Sequence, residues 1–302
     1  MNQILLYPVK KDFSPDKLIE TEEKRYDTQI EICTENVLSK KALFIFLAGP
    51  SCSGKTTTAL RLEKALLKEG KKVFAFSTDD FFFNKEQAPL NEDGTPNYDD
   101  FSHTDSDLII SVLSDFAKGK ETKIPIFDFL KSARAGYKTV DPKEYDIFLL
   151  EGIHALNDKI LSCVSPETPF SCFYLDVTEK VGLEGEESFL FPEDVRFCRR
   201  MIRDYKHRGA SVDLTWRLWK NVRRAEKEIL HPFKKNASFI ISTSFSYEIP
   251  VEKAEIVPLL KEVKKENSLF PEAIRLLSVL EKFPCLPEEM VPKTSVLREF
   301  ID

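Results

Sequence analysis

Residues Leu43 to Thr57 read LFIFLAGPSCSGKTT. The apolar start of this stretch predicts a buried strand, and after Thr57 apolar residues recur at helical spacing. Between strand and helix, Gly49 and Gly54 allow the backbone to curl until several N–H groups point inward. Together with the positive end of the helix, these N–H groups form a site for an anion. The pattern G-x-x-x-x-G-K-T therefore predicts a loop that binds nucleotide phosphates.

Two side chains of this phosphate loop have specific roles in such a site. Lys55 can reach the β- and γ-phosphates, and the Thr56 hydroxyl is placed to ligate Mg²⁺. We expect ATP or GTP as the ligand, and we take ATP with Mg²⁺ as the working choice. A chance glycine turn before a helix is the alternative, which the agreement of strand, loop and helix disfavours. The predicted cofactor-binding residues of the loop are Gly49, Ser51, Ser53, Gly54, Lys55, Thr56 and Thr57.

Composition narrows the class of protein. The 302 residues are enough for one large domain or two smaller ones, and 42% apolar and 31% charged residues are typical of a globular chain. A net charge of −6 disfavours nucleic acid or a membrane surface as partner. The six cysteines are scattered, as in reduced cytosolic proteins, and the N-terminus has no apolar segment of signal or membrane-span length. We expect a cytoplasmic protein that acts on a small molecule, without a nucleic-acid or membrane partner.

Strand-like runs recur along the chain, and helical patterns separate most of them. This alternation predicts an α/β protein with the P-loop NTPase fold, in which helices flank a mainly parallel sheet. We divide the chain into a helical N-terminal lead-in (1–40), a P-loop domain (41–250) and a helical C-terminal extension packed on that domain (251–302). The strand-like runs are Leu43–Ala48, Lys72–Ser77, Lys123–Ile126, Tyr145–Leu150, Ser171–Asp176 and Ser238–Thr243.

Two carboxylates follow predicted strands. Asp79 comes just after the second strand, at the end where doubly wound sheets bind their ligands. It could accept the proton of an attacking hydroxyl or bind Mg²⁺ through water. Capping of the next segment by Asp79 and Asp80 is the alternative, and the sequence leaves both open. Glu151 closes the apolar run Tyr145–Leu150 and is predicted to bind Mg²⁺.

The segment from Pro192 to Gly209 concentrates five arginines in an acidic protein. Arginines that close over a γ-phosphate stabilise the charge that spreads during phosphoryl transfer. We therefore favour a catalytic lid over the alternative of a solvated basic face. His154, three residues after Glu151, is predicted to approach the substrate. The arginines spaced three or four positions apart, most of them on one helical face, are Arg196, Arg199, Arg200 and Arg203.

The order of motifs along the chain resembles a known family. The motifs are G-P-S-x-S-G-K-T-T, S-T-D-D-F-F, N-Y-D-D, I-P-I-F-D-F, L-E-G-I-H-A-L and R-R-x-I-R-D-x-x-x-R-G. From about Leu43 to Ser246 they are similar to uridine/cytidine kinases of the phosphoribulokinase/uridine kinase family. The resemblance implies a kinase that phosphorylates a nucleoside 5′-hydroxyl, with Asp79 as base and Glu151 beside Mg²⁺. It also implies that a homo-oligomer is possible.

The same resemblance implies roles for further residues. Asp99 matches an acidic residue that holds the ribose hydroxyls, and Phe127 and Arg134 match residues of the substrate pocket. The arginines that match lid residues in contact with phosphates or substrate are Arg200, Arg203 and Arg208.

Two departures from the family pattern fall in the acceptor pocket. Ser132 stands where a histidine binds the pyrimidine edge, and Ala210 stands where a further arginine is expected. Such polar contacts carry most of the discrimination between substrates. The alternatives are the same chemistry on another sugar or polyol, as in phosphoribulokinase-like relatives, and a regulatory nucleotide-binding protein without turnover. Intact Asp79, Glu151 and arginines speak against the regulatory protein.

Overall fold

A computed structural model describes residues 6–9, 14–91, 94, 96–129 and 131–302 of the protein. Helices and strands alternate over most of its length. In chain order they are β1 (Leu6–Val9), α1 (Pro15–Lys40), β2 (Phe44–Ala48), α2 (Lys55–Lys68), β3 (Val73–Ser77), α3 (Ser106–Ala117), β4 (Thr122–Asp128), β5 (Ala133–Val140), β6 (Ile147–Glu151), α4 (Asp158–Leu161), β7 (Phe170–Asp176), β8 (Lys180–Leu183), β9 (Phe189–Leu190), α5 (Pro192–Arg208), α6 (Val212–Ala225), β10 (Phe239–Ser242), α7 (Glu248–Lys261), α8 (Phe270–Leu280) and α9 (Arg298–Ile301).

The central sheet has five strands in the order β10-β7-β2-β6-β3, and every pair in it is parallel. Parallel neighbours need crossover connections, so helices cover both faces of the sheet, and most residues of its strands are apolar. All residues of β2 are buried, as the run before the phosphate loop predicts. The predicted α/β fold with a mainly parallel sheet is confirmed.

One predicted strand lies outside this sheet. The run Lys123–Ile126 belongs to β4, which pairs with β5 as an antiparallel hairpin of two strands. The chain reverses directly after β4, at a turn in which Ser132 has φ +50°, and β4 therefore pairs with the next segment rather than with the sheet. A second small sheet, β1-β8-β9, was not predicted from the sequence either.

The segments on either side of the P-loop domain share its core. Apolar side chains of α1, including Tyr26 and Ile30, pack in one cluster with Leu297 and Phe300 near the C-terminus. We therefore propose that the lead-in and the extension fold together with residues 41–250. Residues 1–5 and 10–13 of the lead-in lie outside the described part. Within that part, no helix is both long and apolar enough to cross a membrane.

Candidate active site

The phosphate loop connects β2 to α2, and close packing requires its glycines. A Cβ atom on Gly49 would lie 2.7 Å from Ser53 Oγ and 2.8 Å from the carbonyl oxygen of Leu175. Gly54 has φ +86°, in the left-handed region that glycine adopts without strain. The loop backbone can therefore lie against the end of β7 and turn directly into α2 at Lys55.

The N-terminus of α2 has no cap from its own neighbouring residues. Its N-cap residue is Gly54, which has no side chain to accept the N–H groups of the first turn. Lys55 Nζ crosses the loop and donates to Pro50 O at 3.0 Å. The buried Ser53 hydroxyl has no hydrogen-bond partner among the described residues. A lysine, an unpaired hydroxyl and the N–H groups of a helix N-terminus together suit the binding of phosphate groups.

Strands β3 and β6 end side by side, which places Asp79 and Glu151 at the same edge of the sheet. Ser77 is the register partner of Glu151, and Asp79 lies in the 3₁₀ turn Thr78–Phe81 that follows. The Ser77 hydroxyl caps this turn by accepting the N–H of Asp79 at 3.2 Å. The Asp80 carboxylate accepts backbone hydrogen bonds from Ser77 and from β4. The turn therefore does not use the Asp79 carboxylate as its cap.

Burial raises the pKa of both carboxylates. The pKa of Asp79 is raised by burial, although the charge of Lys55 and a hydrogen bond from Thr78 oppose that effect. Burial and the charge of Asp79 raise the pKa of Glu151 to about 7, against the effect of Lys55. These mutual effects place the two carboxylates and the lysine within electrostatic reach of one another.

The donor set fits Mg²⁺ held together with substrate phosphates. Carboxylates of Asp79 and Glu151 and the Thr56 hydroxyl are hard oxygen ligands, and Mg²⁺ commonly uses one or two protein carboxylates beside phosphate oxygens. A cation there would favour the ionised forms of both buried carboxyl groups. The described residues contain no group of three or more His, Cys, Asp or Glu side chains that could hold a metal without such phosphates.

Two arginines of α5 hold the backbone of the phosphate loop by hydrogen bonds. Arg196 and Arg199 each donate to a backbone carbonyl of the loop, at 3.1 and 3.2 Å. Arg196 is paired with Glu226 at 2.6 Å and Arg199 with Glu248, and all four side chains are buried. Helical spacing predicts both arginines on the face of a catalytic lid, and that prediction is wrong for this pair because each is held by a buried glutamate. Helical spacing identified the face, but not the buried glutamates that it packs against.

The other arginines of α5 gather around Asp204. Its carboxylate lies 3.2 Å from Arg200, 2.8 Å from Arg203 and 3.5 Å from Arg208. Arg200 also donates to the Ser51 hydroxyl of the phosphate loop at 3.1 Å. The Arg208 side chain is 55% exposed. These three predicted residues therefore lie on one side of the loop, and their contacts with a nucleotide stay predictions.

Asp99 and His154 line a small cavity next to the loop, together with Ser51 and Glu226. Burial raises the pKa of Asp99 to about 6, although the charge of Arg200 opposes it. The His154 ring is 1% exposed, and burial lowers its pKa to about 4 despite a hydrogen bond with the Asp99 backbone. Its Nε2 atom has no partner among the described residues. Both predicted substrate residues thus reach the same space.

Phe127 and Arg134 lie on the β4–β5 hairpin. The Phe127 ring meets the Phe82 ring edge to face at 5.8 Å. Arg134 donates to the backbone oxygens of Phe81 and Phe82 at 3.1 Å and pairs with Asp105 at 2.9 Å. Arg134 therefore fastens the hairpin to the segment after β3, and a contact with the substrate stays a prediction.

Three glutamates at the phosphate loop were not predicted. Besides Glu226 and Glu248, which pair with the buried arginines, Glu299 accepts hydrogen bonds from Thr57 at the start of α2. Each lies far along the chain from its partner, and no motif or spacing in the sequence indicates the contact.

A phosphate loop on a parallel sheet, with carboxylates at the neighbouring strand ends, defines the class of P-loop nucleotide-binding proteins. The model of the phosphoribulokinase/uridine kinase family matches residues 44–249. The chain belongs to that family, as its motifs predict, and it is an ATP-dependent kinase.

Individual proteins and solved structures are similar to about 70% of the chain. The uridine kinase of Staphylococcus aureus strain JH9 is 30% identical over 214 residues, which cover 70% of this chain and 93% of that protein. Among solved structures, a possible uridine kinase from Bacillus stearothermophilus is 18% identical with a TM-score of 0.47, covering 71% of this chain and 98% of the other. A putative fructose transport system kinase from a Silicibacter species is 15% identical with a TM-score of 0.49, covering 70% and 98%.

Proposed function

We propose that the protein transfers the γ-phosphate of ATP to the 5′-hydroxyl of uridine or cytidine, forming UMP or CMP. The observation that carries the proposal is the position of the Asp79 carboxylate, which is partly buried in the turn after β3, is acted on by the charge of Lys55 and is not used as the cap of its own turn. A partly buried carboxylate beside the phosphate loop is suited to accept a proton from an attacking hydroxyl. The acceptor nucleoside is taken from the relative that is 30% identical.

In the proposed reaction, the hydroxyl oxygen of the acceptor bonds to the γ-phosphorus while its proton passes to Asp79. The bond from the γ-phosphorus to the β–γ bridging oxygen breaks, and ADP leaves. Lys55, Arg200 and Arg203 stabilise the charge on the transferring group. Mg²⁺, held by Thr56 and Glu151 with Asp79 nearby, would neutralise charge on the β- and γ-phosphates. Backbone N–H groups of the loop and the Arg208 side chain bind the remaining phosphates.

We propose that the acceptor binds at the cavity beside the loop, whose volume of about 20 Å³ holds about one water molecule, so that the segment carrying Asp99 has to move outward to admit a nucleoside. Asp99 accepts hydrogen bonds from the ribose hydroxyls, and the unpartnered Nε2 of His154 offers one further polar contact. Phe127 does not line the cavity as it stands, and we propose it as an aromatic wall of the widened site, on the hairpin that Arg134 fastens to the segment after β3. We place the reaction in the cytoplasm, because all six cysteines are free thiols.

A second acceptor class is favoured by one observation. Ser132 replaces the histidine expected at the pyrimidine edge, and its hydroxyl lies 3.5 Å from Phe129 O, within its own turn. A pocket without the base contact would also accept a sugar or polyol that offers a primary hydroxyl. This alternative keeps Asp79, Glu151 and the arginines in the same roles.

An acceptor screen separates the two proposals. Purified protein with ATP and Mg²⁺ is given uridine, cytidine, and a panel of sugars and polyols, and ADP release is recorded. We expect ADP with uridine or cytidine and the matching monophosphate as product. ADP release only with a sugar or polyol supports the second acceptor class. If none of the acceptors leads to ADP release, both proposals are contradicted.

A matched pair of variants sharpens the screen. Ser132→His restores a polar group that can reach the pyrimidine edge, and we expect kcat/KM for uridine to rise about 10-fold. Ser132→Ala removes the hydroxyl without adding a base contact and should leave kcat/KM near the wild-type value. An equal effect of both variants on uridine would contradict a base-binding role for this position.

A further inference from the structure

A C-terminal segment of the chain, Ser295–Ile301, lies against the phosphate loop and the first turn of α2. Val296 Cγ1 lies only 2.4 Å from the position that a Cβ atom on Gly54 would take. Three residues further on, Glu299 Oε2 accepts hydrogen bonds from Thr57 N at 3.2 Å and from Thr57 Oγ1 at 2.7 Å. The segment therefore reaches the loop from 242 residues away along the chain.

The Glu299 carboxylate accepts a hydrogen bond from Thr57 N, a backbone group that a bound nucleotide would use. The first turn of α2 has a glycine N-cap and no acidic residue of its own, so its N–H groups and the positive end of the helix are open to an anion. In a phosphate loop these N–H groups cradle the α- and β-phosphates. Thr57 is the third residue of α2, and its N–H is bound by Glu299 instead.

Bound ATP would bring several negative charges toward Glu299, because the Thr57 N–H that binds Glu299 is among the groups that cradle the phosphates in such a loop. The Glu299 carboxylate and a phosphate therefore compete for the same N–H group.

The backbone of the segment is anchored, but the Glu299 side chain is not enclosed. Leu297, Phe300 and Ile301 are buried in the main core cluster. The Arg199 guanidinium lies 5.0 Å from the centre of the Phe300 ring, and Lys206 Nζ donates to Ile301 O. Glu299 itself is only partly buried. Its side chain can leave Thr57 by rotation, without removal of the neighbouring residues from the core.

We propose that Ser295–Ile301 is an autoinhibitory strap whose Glu299 carboxylate competes with the α-phosphate of ATP for Thr57. ATP binds to the loop when Glu299 leaves, and the apparent affinity is reduced by the fraction of molecules in which Glu299 is bound. By linkage, bound ATP releases the Glu299 side chain from Thr57. This inference rests on the proposed function only in requiring that the loop binds ATP.

Neutral replacement of Glu299 tests the strap. Glu299→Gln keeps the size of the side chain but removes its charge, and we expect the Kd for ATP measured by titration calorimetry to fall about 10-fold. Glu289→Gln is the matched control, because it makes the same charge change at an exposed position of the same C-terminal region. An ATP Kd for Glu299→Gln that equals or exceeds the wild-type value would overturn the proposal.

Hydrogen exchange on the unmodified protein gives a second readout that needs no variant. With saturating ATP we expect the amides of the last turn, Arg298–Ile301, to exchange faster, because the Glu299 side chain no longer ties this turn to α2 and local opening becomes easier while the apolar side chains stay in the core. Stronger protection of this segment by ATP would contradict the strap.

The ATP titration of Glu299→Gln and the acceptor screen can fail independently of each other. Tighter ATP binding by Glu299→Gln supports the strap even if no acceptor tested is phosphorylated. An unchanged Kd in an active kinase overturns the strap alone.

Discussion

Replacing Gly152 by alanine would disturb the contact between the end of β6 and the turn that carries Asp79. Gly152 follows Glu151 and has φ +144°, and an added Cβ atom would lie 1.8 Å from Thr78 Oγ1 and 2.9 Å from Thr78 Cβ. The unfavourable φ costs about 1–3 kcal/mol, and the overlap with Thr78 costs about 1–3 kcal/mol more. We therefore expect Gly152→Ala to lower the free energy of unfolding by about 2–6 kcal/mol. Since Thr78 must move, kcat should also fall, by up to about 10²-fold.

Urea denaturation with a matched control measures this effect. Gly185 has φ +81° and nothing within 4 Å of its added Cβ atom, so Gly185→Ala reports backbone strain alone, about 1–2 kcal/mol. In a Thr78→Ala background the overlap with Oγ1 is absent, and the cost of Gly152→Ala should shrink by about 1–3 kcal/mol. Equal costs for Gly152→Ala and Gly185→Ala, or a cost of Gly152→Ala that Thr78→Ala leaves unchanged, would contradict an overlap between the added Cβ atom and Thr78.

Two further predictions concern buried charge. The folded-state pKa of His154 is about 4 against 6.5 for an ordinary histidine, so the unfolded chain binds the proton first and stability falls as pH drops below 6.5. Relative to His154→Phe, the wild-type protein should lose about 3 kcal/mol between pH 7 and pH 4 in urea titrations, and parallel pH profiles would contradict this. Arg199→Ala leaves Glu248 buried without its cation and should cost about 3–5 kcal/mol, whereas Arg217→Ala, at an exposed pair, should cost less than about 1 kcal/mol. Equal losses of unfolding free energy in these two variants would show that the ion pair of Arg199 with Glu248 does not stabilise the loop.

Local patterns predicted the centre of the site. The phosphate loop is a continuous motif, and the buried strand before it and the helix after it are visible in the same stretch. Asp79 and Glu151 are separated in sequence, but both follow strands of a parallel sheet, whose carboxyl ends meet at one edge. The sequence therefore indicated that both carboxylates lie near the loop.

Contacts between distant segments were not predictable in the same way. Helical spacing places the α5 arginines on one face, but whether an arginine faces substrate or a buried glutamate depends on what packs there. Glu226, Glu248 and Glu299 carry no motif, and their partners are set by tertiary packing. The run in β4 had the composition of a strand, yet composition does not distinguish a sheet strand from a hairpin strand.

In the proposed reaction, Asp79 takes the proton of the acceptor hydroxyl. The most direct test compares the steady-state kcat of Asp79→Asn with that of wild type at saturating ATP, Mg²⁺ and the best acceptor. Asp80→Asn serves as the control one residue away, since Asp80 bonds only to backbone groups of β3 and β4 in the described structure. We predict that Asp79→Asn lowers kcat about 10²-fold or more with the Kd for ATP unchanged, and that Asp80→Asn retains most of the activity. Wild-type turnover in Asp79→Asn would exclude Asp79 as the base that takes the proton.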